Sequence, residues 1–179
     1  DKAIELEALK FGSFKLKSGM ESDYFFNIAA FFDSKSLSFL ADCYVSKILE
    51  LKIDFDLFFG PAYKGIPLAS VVATKYFEAT KKNIPLAFDR KEEKGHGEGG
   101  TIMGNLEGKK AFLIDDVLTA GTAIKNSIEI IESNKGSFVG ALVALDREES
   151  YDSNKTFQEF FAEQGIVIHS LAKISDLKK

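Results

Sequence analysis

Along most of the chain, short apolar runs alternate with longer stretches whose apolar positions recur every three or four residues. Residues 36–48 show the longer pattern best. Leu37, Leu40, Ala41, Tyr44, Val45 and Ile48 share one helical face, and Ser34 or Ser36 is placed to cap it. Residues 65–81 predict a second helix, with Pro67 in its first turn, where proline is tolerated. Residues 123–132 predict a third, with Ile124, Ile128 and Ile131 on one face, and residues 156–164 a fourth. The runs at 56–59, 84–88, 111–114, 138–145 and 166–168 are short and apolar enough to be buried strands. Ahead of them, residues 1–10 predict a short helix. Residues 14–31 alternate loosely around a turn at 17–20, which predicts a hairpin-like pair of strands.

Strands that alternate with helices imply an α/β fold, a parallel twisted sheet with helices on both faces. Its ligands bind beyond the carboxyl ends of the strands. A chain of 179 residues predicts one domain, 1–179, with core enough to need no staples. Composition narrows the partners. A net charge of −4 and a pI near 5.3 speak against duplex binding, which calls for a basic face, so no nucleic-acid partner is expected. No apolar run is long enough for a bilayer, and the opening Asp1, Lys2 and Glu5 show no leader pattern, so no membrane association is expected. The single cysteine, Cys43, allows no internal disulfide and fits a cytoplasmic setting. Cys43 and His169 have no ligand-like spacing and read as structural residues.

The chemistry concentrates in residues 111–123, Ala-Phe-Leu-Ile-Asp-Asp-Val-Leu-Thr-Ala-Gly-Thr-Ala. A buried strand ends in Asp115 and Asp116, and a Thr-Ala-Gly-Thr turn leads into a helix. Such a turn offers amides and two hydroxyls at a helix N-terminus, a natural anion site. It matches neither the Walker A loop nor the dinucleotide Gly-x-Gly-x-x-Gly pattern. Adjacent carboxylates accept hydrogen bonds from paired hydroxyls and can hold Mg²⁺ directly or through water. A ligand with a phosphate and a vicinal diol, such as ribose 5-phosphate, satisfies both features. The plainer reading is a strand with solvated ends and an ordinary cap. Residues 60–65, Gly-Pro-Ala-Tyr-Lys-Gly, follow the first buried strand and bring Lys64 to the same sheet edge. Residues 89–105 carry Arg90, Lys91, Lys94 and His96 among five glycines and show no helical or strand period, the make-up of a lid over an anion or of a solvated loop.

The string at 111–123 closely resembles the signature of the type I phosphoribosyltransferases, which use 5-phosphoribosyl 1-pyrophosphate (PRPP). The resemblance implies that Asp115 and Asp116 approach the ribose hydroxyls. It assigns Val117, Leu118, Thr119, Ala120, Gly121, Thr122 and Ala123 to PRPP, with the 5-phosphate on the turn. Residues 60–65 resemble the family's pyrophosphate loop, which implies roles for Tyr63 and Lys64 and a cis peptide between Ala62 and Tyr63. Residues 90–100 are similar to the catalytic loop of orotate phosphoribosyltransferases, which reaches into the partner subunit. That implies a homodimer with shared sites and roles toward PRPP for Arg90, Lys91, Lys94 and His96. The implied catalytic set is Lys94, Asp115, Asp116, Arg90 and His96, with neither aspartate cast as a general base. Residues 14–19, with 24–27, resemble the family's orotate-site segment, implying Lys17 for PRPP and Phe25 and Phe26, with Thr119, for orotate. Residues 145–148, Leu-Asp-Arg-Glu, resemble the segment whose arginine, here Arg147, holds orotate's carboxylate. Taken from their own surroundings, Arg147 could equally pair with Asp146 or Glu148, and the two Phe could be core. The implied fold adds a small hood from residues 1–31 and a lid at 89–105. The implied cofactor is Mg²⁺ arriving with PRPP, near Asp115 and Asp116, with no dedicated protein ligands. A purine-using relative, a PRPP-sensing regulator and a fragment of a fused enzyme are the competing readings.

Overall fold

The computed structural model describes residues 2–15, 21–90 and 102–177. The chain forms two compact units, Asp1–Leu40 and Ala41–Lys179.

In the first unit, helix α1 (Lys2–Glu5) is much shorter than the helix expected over 1–10. Glu7 turns into the left-handed region at φ 56°, and Leu9 already opens strand β1 (Leu9–Lys15). Pairing explains the difference. β1 runs antiparallel to β2 (Glu21–Phe26), setting Leu9 against Phe26 and Phe11 against Tyr24, and that ladder outweighs local helical preference. The hairpin is therefore present but begins earlier than the alternation suggested. The second strand also stops at Phe26. Asn27 accepts a hydrogen bond from the Ala29 amide and caps a short 3-10 turn over Ile28–Phe31. The cap of helix α2 (Ser34–Leu51) is Asp33, not Ser34 or Ser36. Its Oδ1 accepts from the amides of Lys35 (3.0 Å) and Ser36 (2.9 Å).

The second unit holds β3 (Leu57–Gly60), α3 (Gly65–Thr80), β4 (Leu86–Asp89), β5 (Ile102–Met103), β6 (Lys110–Leu118), α4 (Thr122–Ser133), β7 (Ser137–Asp146), α5 (Phe157–Glu163), β8 (Ile168–Lys173) and α6 (Ile174–Leu177). One sheet runs in the order β5-β4-β3-β6-β7-β8, parallel throughout except for β5, which pairs antiparallel with β4. The expected α/β architecture is present, with two corrections. β6 extends to Leu118, so Asp115 and Asp116 lie within the strand and not after it. The last strand starts at Ile168, two residues later than its apolar run, because Gln164, Gly165 and Ile166 donate back into the end of α5.

The sheet is covered on both faces, and β3 shows why its run is continuously apolar. Leu57 and Phe59 join a core with Leu113, Val143, Ile124 and Ile131 and with Phe161 of α5. Phe58, between them, points the other way and packs with Phe55, Tyr76 of α3 and, through Phe55, Phe112. Each fully buried Phe contributes roughly 2–3 kcal/mol of transfer free energy, so this double layer fixes the sheet on which the loops stand.

Topology then picks the crevice. From β3 the chain crosses through α3 to β4 on one side, and from β6 it crosses through α4 to β7 on the other. The connections leaving adjacent strands β3 and β6 therefore diverge, the switch point at which open α/β sheets bind ligands.

Candidate active site

Two turns flank that crevice, and both depend on glycine. After β3, the chain turns through Pro61 and Ala62 into α3, and the peptide between Ala62 and Tyr63 is cis, as the resemblance implied. A Cβ on Gly65 would stand 2.4 Å from Pro61 Cδ and 2.9 Å from the Ile114 carbonyl, so only glycine lets this turn lie against β6. The turn is held from its other side by Asp89, whose Oδ1 accepts the Ala62 amide at 2.6 Å. After β6, Gly121 adopts φ 71°, and a Cβ there would stand 2.2 Å from Phe161. Gly121 is also the N-cap of α4 and makes no side-chain cap bond. The first amides of α4 thus face outward beside exposed Thr122 and Ala123, with the positive end of the helix dipole behind them.

Across the crevice, Lys64 Nζ donates to Asp116 Oδ2 at 2.9 Å. The lysine side chain is 53% exposed and that of Asp116 only 11%, so the pair is anchored at the acid and free to move at the base. Asp115 is buried behind it, and its Oδ1 accepts from the Asp116 amide at 2.9 Å. Burial, then the adjacent Asp116 carboxylate, push the Asp115 carboxyl up to about 7. A proton held there removes the repulsion that two neighbouring carboxylates would otherwise feel. Among the described residues, no group of three or more His, Cys, Asp and Glu side chains gathers as a metal cage. Two adjacent carboxylates nonetheless suit Mg²⁺, which is commonly held by one or two carboxylates together with substrate phosphates and water.

The next strand end is different. Asp146 closes β7, and its Oδ1 accepts the Glu148 amide at 2.8 Å, which holds Glu148 in the left-handed region at φ 50°. Its Oδ2 is buried with no hydrogen-bond partner among the described residues, and burial raises its carboxyl above the ordinary range. Arg147 donates its amide to the Leu118 carbonyl at 3.1 Å, so the ends of β6 and β7 are joined through the backbone. Its Nε lies 3.2 Å from Glu149 Oε1. Glu149 is thus an ion-pair partner of Arg147, where the sequence pointed to Asp146 or Glu148. Those two are occupied shaping the turn, and Glu148 Oε2 accepts from the Ser175 amide.

Tyr63, Lys64, Asp115, Asp116, Val117, residues 119–123 and Arg147 all lie at this one edge of the second unit. Leu118 lies there too, but its side chain is buried in the core, so it offers a ligand only backbone. Phe25 (exposed) and Phe26 (half-buried) lie on β2 of the first unit. Lys17, Lys91, Lys94 and His96 lie outside the described residues. Of the segment 89–105, Asp89 and residues 102–103 are strand. Phe88 and Asp89 pair with Met103 and Ile102, and the Arg90 guanidinium lies against the Met103 thioether. Three contributors escaped sequence reasoning: Asp89 under the first turn, Glu149 beside Arg147, and Tyr44, whose hydroxyl donates to the Asp115 carbonyl at 2.7 Å. Each acts across many residues or from an ordinary position in its own element, where no local pattern marks it.

Comparison with known proteins bears on this geometry. Residues 30–172 match the model of the phosphoribosyl transferase domain family. An orotate phosphoribosyltransferase of Xanthomonas campestris pv. campestris (strain B100) is 46% identical over 179 residues, covering 98% of this chain and 81% of the relative. That of Schizosaccharomyces pombe is 43% identical over 180 residues, covering 98% and 84%. The crystal structure of the Francisella tularensis orotate phosphoribosyltransferase superposes with a TM-score of 0.85 at 34% identity, covering 98% of this chain and 85% of that one.

Proposed function

The chain belongs to the phosphoribosyltransferase family, in its orotate-using branch, and from that premise we propose how its residues divide the reaction. The enzyme is an orotate phosphoribosyltransferase, a pentosyltransferase. Orotate and PRPP give orotidine 5′-monophosphate and pyrophosphate, a step of pyrimidine (UMP) biosynthesis. The bond from the anomeric carbon to pyrophosphate breaks, a bond to the orotate ring nitrogen forms, and that nitrogen's proton is released.

Asp115 and Asp116 receive the ribose hydroxyls. The outward amides of α4, with Thr119, Ala120, Gly121, Thr122 and Ala123, receive the 5-phosphate, and Val117 and Leu118 line the approach. Tyr63 and Lys64 receive the pyrophosphate. The Lys64–Asp116 bridge across the switch point carries this reading, because it brings the pyrophosphate turn and the ribose strand to one place. An anomeric carbon losing pyrophosphate develops positive charge, and the leaving group develops negative charge. The second must be neutralised for the step to proceed. Lys64 supplies one cation. Arg90, Lys91, Lys94 and His96 of the lid, with Lys17, supply the others, and lid closure excludes water. Asp115 and Asp116 would lie near Mg²⁺ arriving with PRPP, which would supply charge neutralisation at the diphosphate. Arg147 takes orotate's carboxylate through two parallel hydrogen bonds, with Thr119 and the backbone at Phe25 and Phe26 along the ring edge. The reading includes residues 1–31 as a hood, the lid at 89–105 shared across a homodimer, and a cytoplasmic location.

The experiment is to mix the protein with orotate, PRPP and Mg²⁺ and follow orotate's ultraviolet absorbance, with a purine base as the alternative acceptor. Loss of orotate signal that needs all three components is expected. Turnover of the purine but not of orotate would overturn the assignment of Arg147. Sedimentation of the active species then tests the homodimer.

A further inference from the structure

The peptide unit joining Asp115 to Asp116 is held in an unusual way for the middle of a parallel sheet. Its N–H donates to the Asp115 carboxylate at 2.9 Å. Its carbonyl accepts from the hydroxyl of Tyr44, on α2, at 2.7 Å. The register agrees. β6 against β7 passes from Asp115↔Val143 to Val117↔Leu145 without a pair at Asp116 and Ala144. β7 against β8 likewise passes from Val143↔Ser170 to Leu145↔Ala172. Both polar groups of this peptide are thus bonded by side chains at a break in the ladder. Rotation of the peptide plane would swing both carboxylates, and with them the partner of Lys64.

We propose that Tyr44 is a positioning residue for the reaction: its hydroxyl fixes the Asp115–Asp116 peptide plane and so aims the acidic pair at the ribose of PRPP. The side chain is fully buried, so it touches no substrate itself. Burial, then the two carboxylates, hold its phenol well above the ordinary tyrosine range, so the hydroxyl remains a donor at any working pH. The inference rests on the reading of Asp115 and Asp116 as the ribose grip.

Tyr44→Phe keeps the ring and deletes only the hydroxyl. In the full chain it is expected to raise the KM for PRPP about tenfold, the worth of one hydrogen bond, while the orotate KM moves less than about twofold. In an Asp116→Asn background the same change should add less than about twofold, since it acts through the acidic pair. An unaltered PRPP KM in the folded variant, equal shifts for both substrates, or full additivity with Asp116→Asn would each overturn the proposal. Asp116→Asn alone separates the two claims. If it leaves the PRPP KM unaltered, the ribose reading itself fails. If it raises that KM and Tyr44→Phe does not, only the role of Tyr44 fails. A 3-fluorotyrosine placed at position 44 reads the same contact with the hydroxyl kept. Its fluorine resonance should shift on adding PRPP and not on adding orotate alone, and no shift with PRPP would count against the proposal.

Discussion

Strands β6 and β7 are neighbours, run parallel, and both carry buried aspartate at their carboxyl ends, yet the two ends are built on different principles. At the end of β6 each acid has a specific partner. Asp116 has Lys64, Asp115 has the following amide, and their shared peptide has Tyr44. At the end of β7 the acid serves the backbone. Asp146 shapes a turn, keeps one buried oxygen without a partner among the described residues, and presents Arg147 beside Glu149. The first end holds its acids and their shared peptide by named partners, as the proposed grip on a sugar and its phosphates requires. The second carries Arg147, its side chain 18% exposed, on a shaped turn, and in the proposed reading it is a part that can change acceptor without disturbing the first.

The largest effect should come from the β6 end. Lys64→Ala is expected to lower kcat/KM for PRPP by about 10²–10³, as for loss of a preorganised charge partner. A loss below about threefold, measured by steady-state kinetics, would remove that turn from the diphosphate site. Lys94→Ala, in the proposed lid, should lower turnover by about 10² while leaving the orotate KM nearly unaltered. Equal turnover would sink the lid assignment. At the β7 end, Arg147→Ala is expected to raise the orotate KM by about 30-fold and that for PRPP by less than about twofold, since a charge-assisted pair is lost on one substrate only. A matching rise for PRPP would mean that the two ends are not separable.

The smallest effect is on stability. The fold raises the carboxyl of Asp115 to about 7, so it favours the protonated form. That contribution is complete below the ordinary carboxylate range and is lost as pH rises toward 7. Asp115→Asn should therefore gain on the parent chain as pH climbs from 4 to 7, by about 2–4 °C in melting temperature at the upper end. Melting curves that stay parallel across that range would contradict the assignment.

The two ends also differ in what the sequence discloses. The β6 end is a continuous string, Asp115 through Ala123, and every element of it is local: strand, acids, turn, helix. Helices α2, α3 and α4 were legible for the same reason, since their periodicity is long. What stayed hidden depends on chain far away. Tyr44 looks like any residue on the apolar face of α2 until β6 lies over it. Asp89 reads as loop until it bonds the Ala62 amide. β5 has only two residues and exists through its pairing with β4. The over-long first helix failed likewise, because cross-strand pairing with β2 decides the conformation of residues 9–15. Glu149 was missed for a subtler reason: which of three nearby acids meets Arg147 is set by the left-handed turn at Glu148.

The most direct test of the division between the two strand ends is a crossed measurement of both KM values in two variants, Asp116→Asn and Arg147→Ala. The account predicts a diagonal result, with Asp116→Asn weakening PRPP and sparing orotate, and Arg147→Ala doing the reverse. Either variant weakening both substrates to the same degree would contradict it.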